Sequence, residues 1–170
     1  LYFQWRRVSD EPEGSWARCV DSLFAEARRA PTRRLVIDLR DNHGGNTDLE
    51  ATFLARLAAD STLNRPGALY VLIGRDTFSA AQNAANWLRE RTAAVFAGEP
   101  TGSKPNFVGE ESSFVLPWSR LRANVSDRYW QGGWPTDAAA WIAPSLYLPP
   151  TLAALRAGRD DLLDAVAALP

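Results

Sequence analysis

Several residue types are scarce in this sequence. The 170-residue chain has no methionine, one cysteine, one histidine and a single lysine, Lys104, although lysine and arginine together number 19. One cysteine excludes an internal disulfide, and no apolar stretch approaches the roughly 20 residues of a membrane span. The net charge of −1 provides no basic field to attract nucleic acid or an anionic membrane. Because position 1 is not methionine, we expect a fragment of a longer precursor, folded as one domain over residues 1–170.

The apolar segments alternate between strand and helix patterns. Short, nearly continuous apolar runs predict buried strands at 34–39, 68–74 and 93–97. A strand is also predicted at 1–8 from its aromatic and β-branched residues, unless its first four residues are a tag remnant. Apolar residues at helical spacing predict helices at 15–29, ended by Pro31, and at 47–59 and 78–91. Cys19 is predicted to be a core thiol of the first helix. The middle of the chain, residues 34–97, thus has the order β-α-β-α-β, which predicts an α/β fold with a mostly parallel sheet.

The last third of the chain has a different pattern. Short strands are predicted at 114–116 and 121–125, a Trp-Gly-Pro-rich loop at 129–136 and an extended segment at 141–148. A closing helix is predicted after Gly158, with Asp160 and Asp161 in its first turn. We therefore expect a short β and loop part after the α/β core.

Two turns between a buried strand and a helix are candidates for chemistry. The first contains Gly44 and Gly45, whose exposed N–H groups suit an anion or oxyanion site, although a purely structural turn has the same pattern. The second contains Ser79, in Asp-Thr-Phe-Ser-Ala-Ala-Gln. A serine at this position is either a helix N-cap or a nucleophile at the positive end of the helix dipole. As a nucleophile it requires a base.

The single lysine is the candidate base. A lysine acts as a base only when burial or neighbouring charges favour its neutral form, whereas arginine stays protonated. An arginine-rich chain that keeps one lysine therefore has a chemical reason to keep it. An ordinary surface lysine is the alternative.

Three segments together resemble the C-terminal-processing (tail-specific) serine peptidases. They are LVIDLRDNHGGN, VLIGRDTFSAAQNAA and FAGEPTGSKPNFVGE, and they occur in the order found in that family. Ser79 and Lys104 lie 25 residues apart (104 − 79 = 25), which is the usual separation in the family. The similarity extends into the tail, from Trp141 to Asp160.

The resemblance implies a crotonase-like (Clp-protease-like) α/β fold and hydrolysis of peptide bonds in polypeptide substrates. Ser79 would be the nucleophile, Lys104 the general base, and the N–H groups of Ala80 and of Gly44 or Gly45 the oxyanion hole. No metal or cofactor is implied. Relatives often carry a PDZ-like module, which these residues lack, and many are exported, which predicts an extracytoplasmic location.

The sequence departs from the family pattern around the lysine. Val108 stands where a glutamine commonly orients the base, and Asn106 or Glu110 are the candidates to replace it. Glu99 and Glu110 flank the lysine segment and are also candidates to pair with Lys104, which would keep the ammonium charged and unsuited to act as a base.

Two further residues are possible auxiliaries. Gln82 follows the serine by three positions, where the family often has an acid. His43, in the Gly-Gly turn, is an alternative base, a substrate contact or a solvated turn residue.

Two other functions remain as alternatives to a peptidase. A catalytically silent relative would bind peptide or an apolar ligand in the same cleft, as the loss of glutamine at 108 suggests. An acyl-CoA enzyme of the same fold is disfavoured because it needs no serine–lysine pair. Trp130 and Trp134 are candidates to line a peptide cleft, although core packing or a loop staple is the favoured interpretation.

Overall fold

The computed structural model describes residues 1–10, 15–29 and 34–169. Its helices and strands, in chain order, are β1 (Tyr2–Gln4), α1 (Trp16–Arg29), β2 (Leu35–Asp38), a 3-10 turn (Thr47–Leu49), α2 (Glu50–Ala59), β3 (Leu69–Ile73), α3 (Ala80–Arg91), β4 (Val95–Gly98), β5 (Asn106–Gly109), β6 (Ser112–Val115), β7 (Arg122–Val125), β8 (Arg128–Gln131), β9 (Leu146–Tyr147), α4 (Leu152–Arg156) and α5 (Asp161–Ala168).

The central sheet has five strands in the order β1-β2-β3-β4-β9, and each neighbouring pair is parallel. All residues of β2 and β3 are buried, as their uninterrupted apolar sequences predict. Helices α1, α2 and α3 each connect one strand to its neighbour. The predicted α/β class with a parallel sheet is therefore confirmed.

The two faces of the sheet are covered by different helices. Side chains that alternate along β2 and β3 divide between two apolar clusters, as expected for a strand period of two. The larger cluster includes residues of α1, α2 and α3, and the smaller one includes Leu162 and Val166 of α5. The three crossover helices thus lie on one face and α5 on the other.

Helix α5 is attached to the sheet by ion pairs. Arg40, just after β2, donates to Asp160 with both terminal nitrogens (3.0 and 2.6 Å) and to the buried Asp38. Tyr2 of β1 also donates to Asp38 (2.7 Å). Burial, which is the larger cause, and this hydrogen bond together raise the pKa of Tyr2 to about 12. Asp160 is the N-cap of α5 and accepts from Leu163 N–H, whereas it was expected inside the first turn.

Residues 106–131 form a two-stranded antiparallel ribbon. Its inner part pairs β5 with β8, and its outer part pairs β6 with β7. The prediction of a loop at 129–136 is wrong over β8, because Tyr129 and Trp130 pair with Val108 and Phe107. Such pairing depends on residues distant in sequence, and Gly132-Gly133 gave this region the composition of a loop.

Other local expectations differ from the structure. Cys19 is exposed, since the buried stripe of α1 contains Val20, Leu23 and Phe24 and position 19 lies about 100° from Val20. The predicted helix at 47–59 is divided into the 3-10 turn and α2. Pro31, expected to end α1, lies outside the described residues. None of the helices in the described part of the chain has the length and apolar content needed to cross a bilayer.

Candidate active site

Ser79 lies at the junction between β3 and α3 in an uncommon backbone conformation. Its φ is +56° and its ψ is −123°, in a region that non-glycine residues rarely adopt. It occupies the N-cap position of α3, but its side chain makes no capping hydrogen bond. Because the hydroxyl is not used as a cap, the structural alternative for Ser79 loses its usual support. Such backbone strain is more common at functional sites than elsewhere.

The Gly-Gly turn lies directly against this serine. A Cβ atom added to Gly44, whose φ is +104°, would come within 2.6 Å of Ser79 Cβ and 2.9 Å of Ala80 N. Gly45 is pressed against Val8, since a Cβ there would meet Val8 O at 2.0 Å. The structure therefore brings together the two turns that the sequence singled out separately.

The backbone donors near Ser79 differ in whether they are already engaged. Gly44 N–H donates to Asn42 Oδ1 (2.9 Å). The N–H groups of Gly45 and Ala80 make no hydrogen bond within the described part of the chain. Two donors on neighbouring turns, one of them at a helix N-terminus, are a typical arrangement for binding an oxyanion. Between the two glycines proposed for this role, Gly45 is the one with an available donor.

Asn42 and Thr77, which the sequence reasoning missed, hold these turns together. Asn42 is fully buried, and its side-chain amide donates to Trp5 O (2.8 Å). Its backbone carbonyl accepts from Phe78 N–H (3.1 Å). Thr77, also fully buried, donates from Oγ1 to Leu39 O (2.8 Å). Their only sequence signal was their place inside the two motifs, at positions where a polar side chain follows a buried strand.

Lys104 lies in the loop between β4 and β5. This loop is connected to the serine turn, because Gly102 N–H donates to Thr77 O (3.0 Å). The Lys104 side chain is exposed and makes no hydrogen bond or ion pair with any residue that the structure describes. The lysine is therefore placed on a segment attached to the serine turn, but its ammonium group is not hydrogen-bonded to Ser79.

Neither acid beside the lysine forms an ion pair with its side chain. Glu99 pairs with Arg75 (3.0 Å) and forms no ion pair with Lys104. Glu110 is exposed, with a φ of +53°, and makes no ion pair with Lys104 either. His43 is exposed in the Gly-Gly turn and forms no hydrogen bond to Ser79 or Lys104.

Gln82 and Asn86 connect α3 to the lysine loop. Pro105 O accepts from Asn86 Nδ2 (2.9 Å), and Asn86 Oδ1 accepts from Gln82 Nε2 (3.2 Å). Since a proline carbonyl only accepts, this order fixes the orientation of both amides. Gln82 is completely buried, and its Oε1 has no donor among the described residues. An acceptor one helical turn after Ser79 is thus available.

The remaining candidates near the lysine have other partners. Asn106 donates to Trp134 O (2.7 Å) and accepts from Gly133 N–H (3.0 Å), so its amide holds the loop after β8. Val108, where the family commonly has glutamine, is 52% exposed. Trp134 is 79% exposed, which excludes the favoured core interpretation for that residue.

A cavity of about 240 Å³ adjoins the candidate oxyanion donor Gly45. It is lined by Gly45, Asn46, Thr47, Asp48, Glu110, Arg128 and Trp130. A larger cavity, of about 540 Å³, lies at the carboxyl ends of β1 to β4 beside Arg40 and Asp160, and no candidate site residue lines it. Among the described residues, no three His, Cys, Asp or Glu side chains are grouped so that they could hold a metal ion.

Comparison with known proteins finds similarity in structure only. No family model matches the sequence, and neither does any curated protein. A Parabacteroides merdae structure assigned as a peptidase superposes with a TM-score of 0.65 at 19% identity, over 98% of this chain and 59% of that one. A Bacteroides fragilis protein assigned to the S41 proteases gives 0.61 at 22%, over 87% of this chain and 46% of that one.

The photosystem II D1 C-terminal processing protease gives a TM-score of 0.58 at 21% identity, over 89% of this chain and 42% of its own. This chain therefore spans about half the length of these three structures. The resemblance to C-terminal-processing peptidases, first recognised in the motifs, is thus confirmed in the fold. The chain has the α/β fold of S41-type peptidase structures.

Proposed function

We propose that this chain is the catalytic core of a serine peptidase that hydrolyses polypeptides through Ser79 and Lys104. One observation carries the proposal: the Gly-Gly turn packs on Ser79 so closely that a Cβ on Gly44 would lie 2.6 Å from Ser79 Cβ. A core or cap serine has no need of an adjoining glycine turn with a free N–H group. A serine nucleophile needs one, because its tetrahedral intermediate carries a negative oxygen.

In the proposed reaction, Ser79 Oγ attacks the carbonyl carbon of the scissile peptide bond. Lys104 Nζ accepts the hydroxyl proton and returns it to the leaving amine, and water then releases the acyl group by the same route. The N–H groups of Ala80 and Gly45 stabilise the oxyanion. Since the amine must be neutral, a bound polypeptide that covers the exposed Lys104 would assist by removing water from it.

Gln82 is suited to hold the lysine in this reaction. A neutral amine has two N–H groups and one lone pair, so it can donate to Gln82 Oε1 while its lone pair faces the serine hydroxyl. The unpartnered state of Oε1 and its place one turn after Ser79 support this role. In this proposal Gln82 replaces the glutamine that is missing at Val108.

A peptide-cleavage assay tests the proposal. With an unfolded protein substrate, Ser79→Ala is expected to abolish cleavage. Lys104→Ala and Lys104→Arg are both expected to reduce kcat by about 1,000-fold or more, since arginine does not give up its proton at neutral pH. Ser103→Ala, in the same loop, is the control and is expected to retain activity. Full activity of Lys104→Arg would contradict the proposed base.

A catalytically silent peptide-binding protein is the second candidate. It is favoured by the exposure of both Lys104 and Val108. The same assay distinguishes the two functions, because a silent relative would retain the peptide intact, as mass spectrometry of the bound fraction would show.

The proposal also includes a crotonase-like fold, the role of this chain as a peptidase core domain, and an extracytoplasmic location. The parallel sheet with its crossover helices is compatible with a crotonase-like architecture. Residues 1–170 would be the peptidase core, to which a substrate-tethering module would be joined in a longer protein. An extracytoplasmic location follows from the resemblance to exported peptidases.

A further inference from the structure

The outer part of the β-ribbon projects into solvent. We call residues 111–127 the arm; it consists of β6, β7 and the turn between them. All of its residues are exposed except Ala123, which is partly so. Within the described part of the chain its sheet consists of the two strands β6 and β7, and neither outer edge pairs with a further strand. A two-stranded hairpin is at best marginally stable alone in water, and packing of one face normally supplies the rest.

The pairing register gives the arm one apolar and one polar face. Phe114 pairs with Ala123 and Ser112 with Val125, and Leu116 N–H donates to Leu121 O (2.9 Å), which continues the same alternation. Four side chains of this face are strongly exposed: Phe114 by 47%, Leu116 by 39%, Leu121 by 64% and Val125 by 53%. The opposite face contains Ser113, Val115, Arg122 and Asn124.

The charges of the arm are separated along its length. Arg120 and Arg122 lie at the tip, where residues 115–122 include no acid. Glu111 and Asp127 lie at the base, where Glu110 and Arg128 are adjacent to them, so the base carries a net negative charge. The tip is therefore positive and the base negative. Two such arms that lie antiparallel about a two-fold axis place each positive tip beside the negative base of the other.

We propose that the arm is a dimerisation surface whose partner is the arm of a second copy of this chain. The two apolar faces pack against each other in antiparallel orientation, and Arg120 of each copy approaches Glu111 and Asp127 of the other. Like-charge contact disfavours the parallel orientation. The charge separation favours a second copy over an apolar ligand, which would gain nothing from oppositely charged ends. This proposal is independent of whether Ser79 is catalytic.

Sedimentation velocity across a concentration series tests the proposal. The proposed contact involves one face of a single hairpin, for which weak association is expected, so a range from about 1 to about 200 µM is appropriate. We expect a monomer–dimer equilibrium. Leu121→Ser should raise the dimer dissociation constant by at least about 10-fold, because it removes apolar contact between the two arms. Val115→Ser, at a 50% exposed position on the opposite face, is the matched control and should leave the equilibrium unchanged.

Charge reversal tests the antiparallel orientation. Arg120→Glu with Arg122→Glu reverses the tip, and Glu111→Lys with Asp127→Lys reverses the base. Each variant alone is expected to be monomeric, and an equimolar mixture of the two is expected to form a heterodimer. Circular dichroism and thermal melting of each variant establish that it is folded.

Three results would overturn the proposal. They are a folded wild-type protein that stays monomeric over the whole range, a dimer whose dissociation constant is unchanged by Leu121→Ser, and folded charge-reversed variants that do not associate when mixed. Fluorophosphonate labelling of Ser79 is measured separately on the same samples. If the protein is monomeric but Ser79 is labelled, the dimer proposal fails and the proposed peptidase function does not. If the protein dimerises but Ser79 is not labelled, the peptidase function fails and the dimer proposal does not.

Discussion

Gly44 occupies the closest contact between the two turns of the candidate site. Its neighbours are Ser79 Cβ, Ala80 N and Phe78 O, all within 3.0 Å of the position that a Cβ would take. Its φ of +104° adds a conformation that other residues rarely adopt. The position of the serine and the absence of a side chain at residue 44 therefore depend on each other.

Gly44→Ala is expected to destabilise the protein by more than about 3 kcal/mol, as the sum of backbone strain and overpacking. It should also displace Ser79 and lower the rate of its labelling. The matched control is Gly67→Ala, which has a positive φ of 75° but no atom within 4 Å of the added Cβ. That change is expected to cost about 1 kcal/mol. Urea unfolding measures both, and equal costs would contradict the contact.

Single residues were predictable from sequence to different degrees. Ser79, Gly44 and Gly45 could be selected as candidates because each belongs to a motif with a distinctive order and spacing, and the structure places their two turns in contact. Asn42 and Thr77 were missed, since their hydrogen bonds join turns that are far apart in sequence. Cys19 was misassigned because helical periodicity alone does not fix the edge of an apolar stripe.

At the level of elements, α2 begins with a buried acid. Glu50 is 2% exposed, its Oε1 has no partner among the described residues, and burial raises its pKa to about 9. The folded protein therefore holds a proton that the unfolded chain releases above its ordinary pKa of 4.5. Stability is then highest below pH 4.5 with respect to this group and falls as the pH rises towards 9.

Glu50→Gln is expected to remove this pH dependence. At pH 7 the gain should be on the order of 3 kcal/mol, from about 1.36 kcal/mol for each pH unit above the ordinary pKa. At pH 4 the variant and the wild type should be equally stable. Glu90→Gln, an exposed position on α3, is the control. Urea titrations at both pH values decide the matter, and a Glu50→Gln protein less stable at pH 7 would contradict it.

Helix α3 and the ribbon are coupled through Asn86. A Cβ on Gly132, just after β8, would lie 2.0 Å from Asn86 Nδ2. Asn86→Ala leaves Pro105 O and Gln82 Nε2 without partners and is expected to cost about 2–3 kcal/mol. Gly132→Ala alone should cost about 1–3 kcal/mol by overpacking. Because truncation of Asn86 makes room for the new methyl group, the double variant should cost less than the sum by about 1 kcal/mol or more. Additive costs in urea unfolding would exclude the coupling.

Elements were predictable where their signal is local. Strands β2 and β3 and helices α1 and α3 were found from apolar runs and helical spacing. Strands β5 and β8 were not, because their pairing joins Phe107 to Trp130 across the ribbon. Helix α4 was also missed, since its five residues are too few for a periodic pattern.

On the scale of the whole molecule, Arg40 connects the sheet to the C-terminal helix. Its hydrogen bonds with Asp160, opposed in part by burial, hold the pKa of that carboxyl below its usual value. A lowered pKa contributes stability above the unfolded value, near 3.9, and the contribution is lost as the pH falls through the folded value.

Asp160→Asn is expected to lower the melting temperature at pH 6 and to reduce the difference in stability between pH 6 and pH 3. Asparagine retains the side-chain oxygen that caps α5, so the change removes mainly the charge. Asp164→Asn, in the same helix, is the control. Thermal melting at the two pH values is the measurement. If Asp160→Asn leaves the difference in stability between pH 6 and pH 3 unchanged, the ion pair with Arg40 does not attach α5 to the sheet.

The central claim, that Ser79 is a nucleophile, is tested most directly by fluorophosphonate labelling with mass mapping of the modified peptide. We predict a single adduct on Ser79, absent in Ser79→Ala and slowed at least about 100-fold in Lys104→Ala, since an unassisted serine is a weak nucleophile at neutral pH. Labelling that is unaffected by Lys104→Ala but lost in His43→Ala would transfer the role of base. A folded wild-type protein that takes no label at Ser79 would contradict the claim.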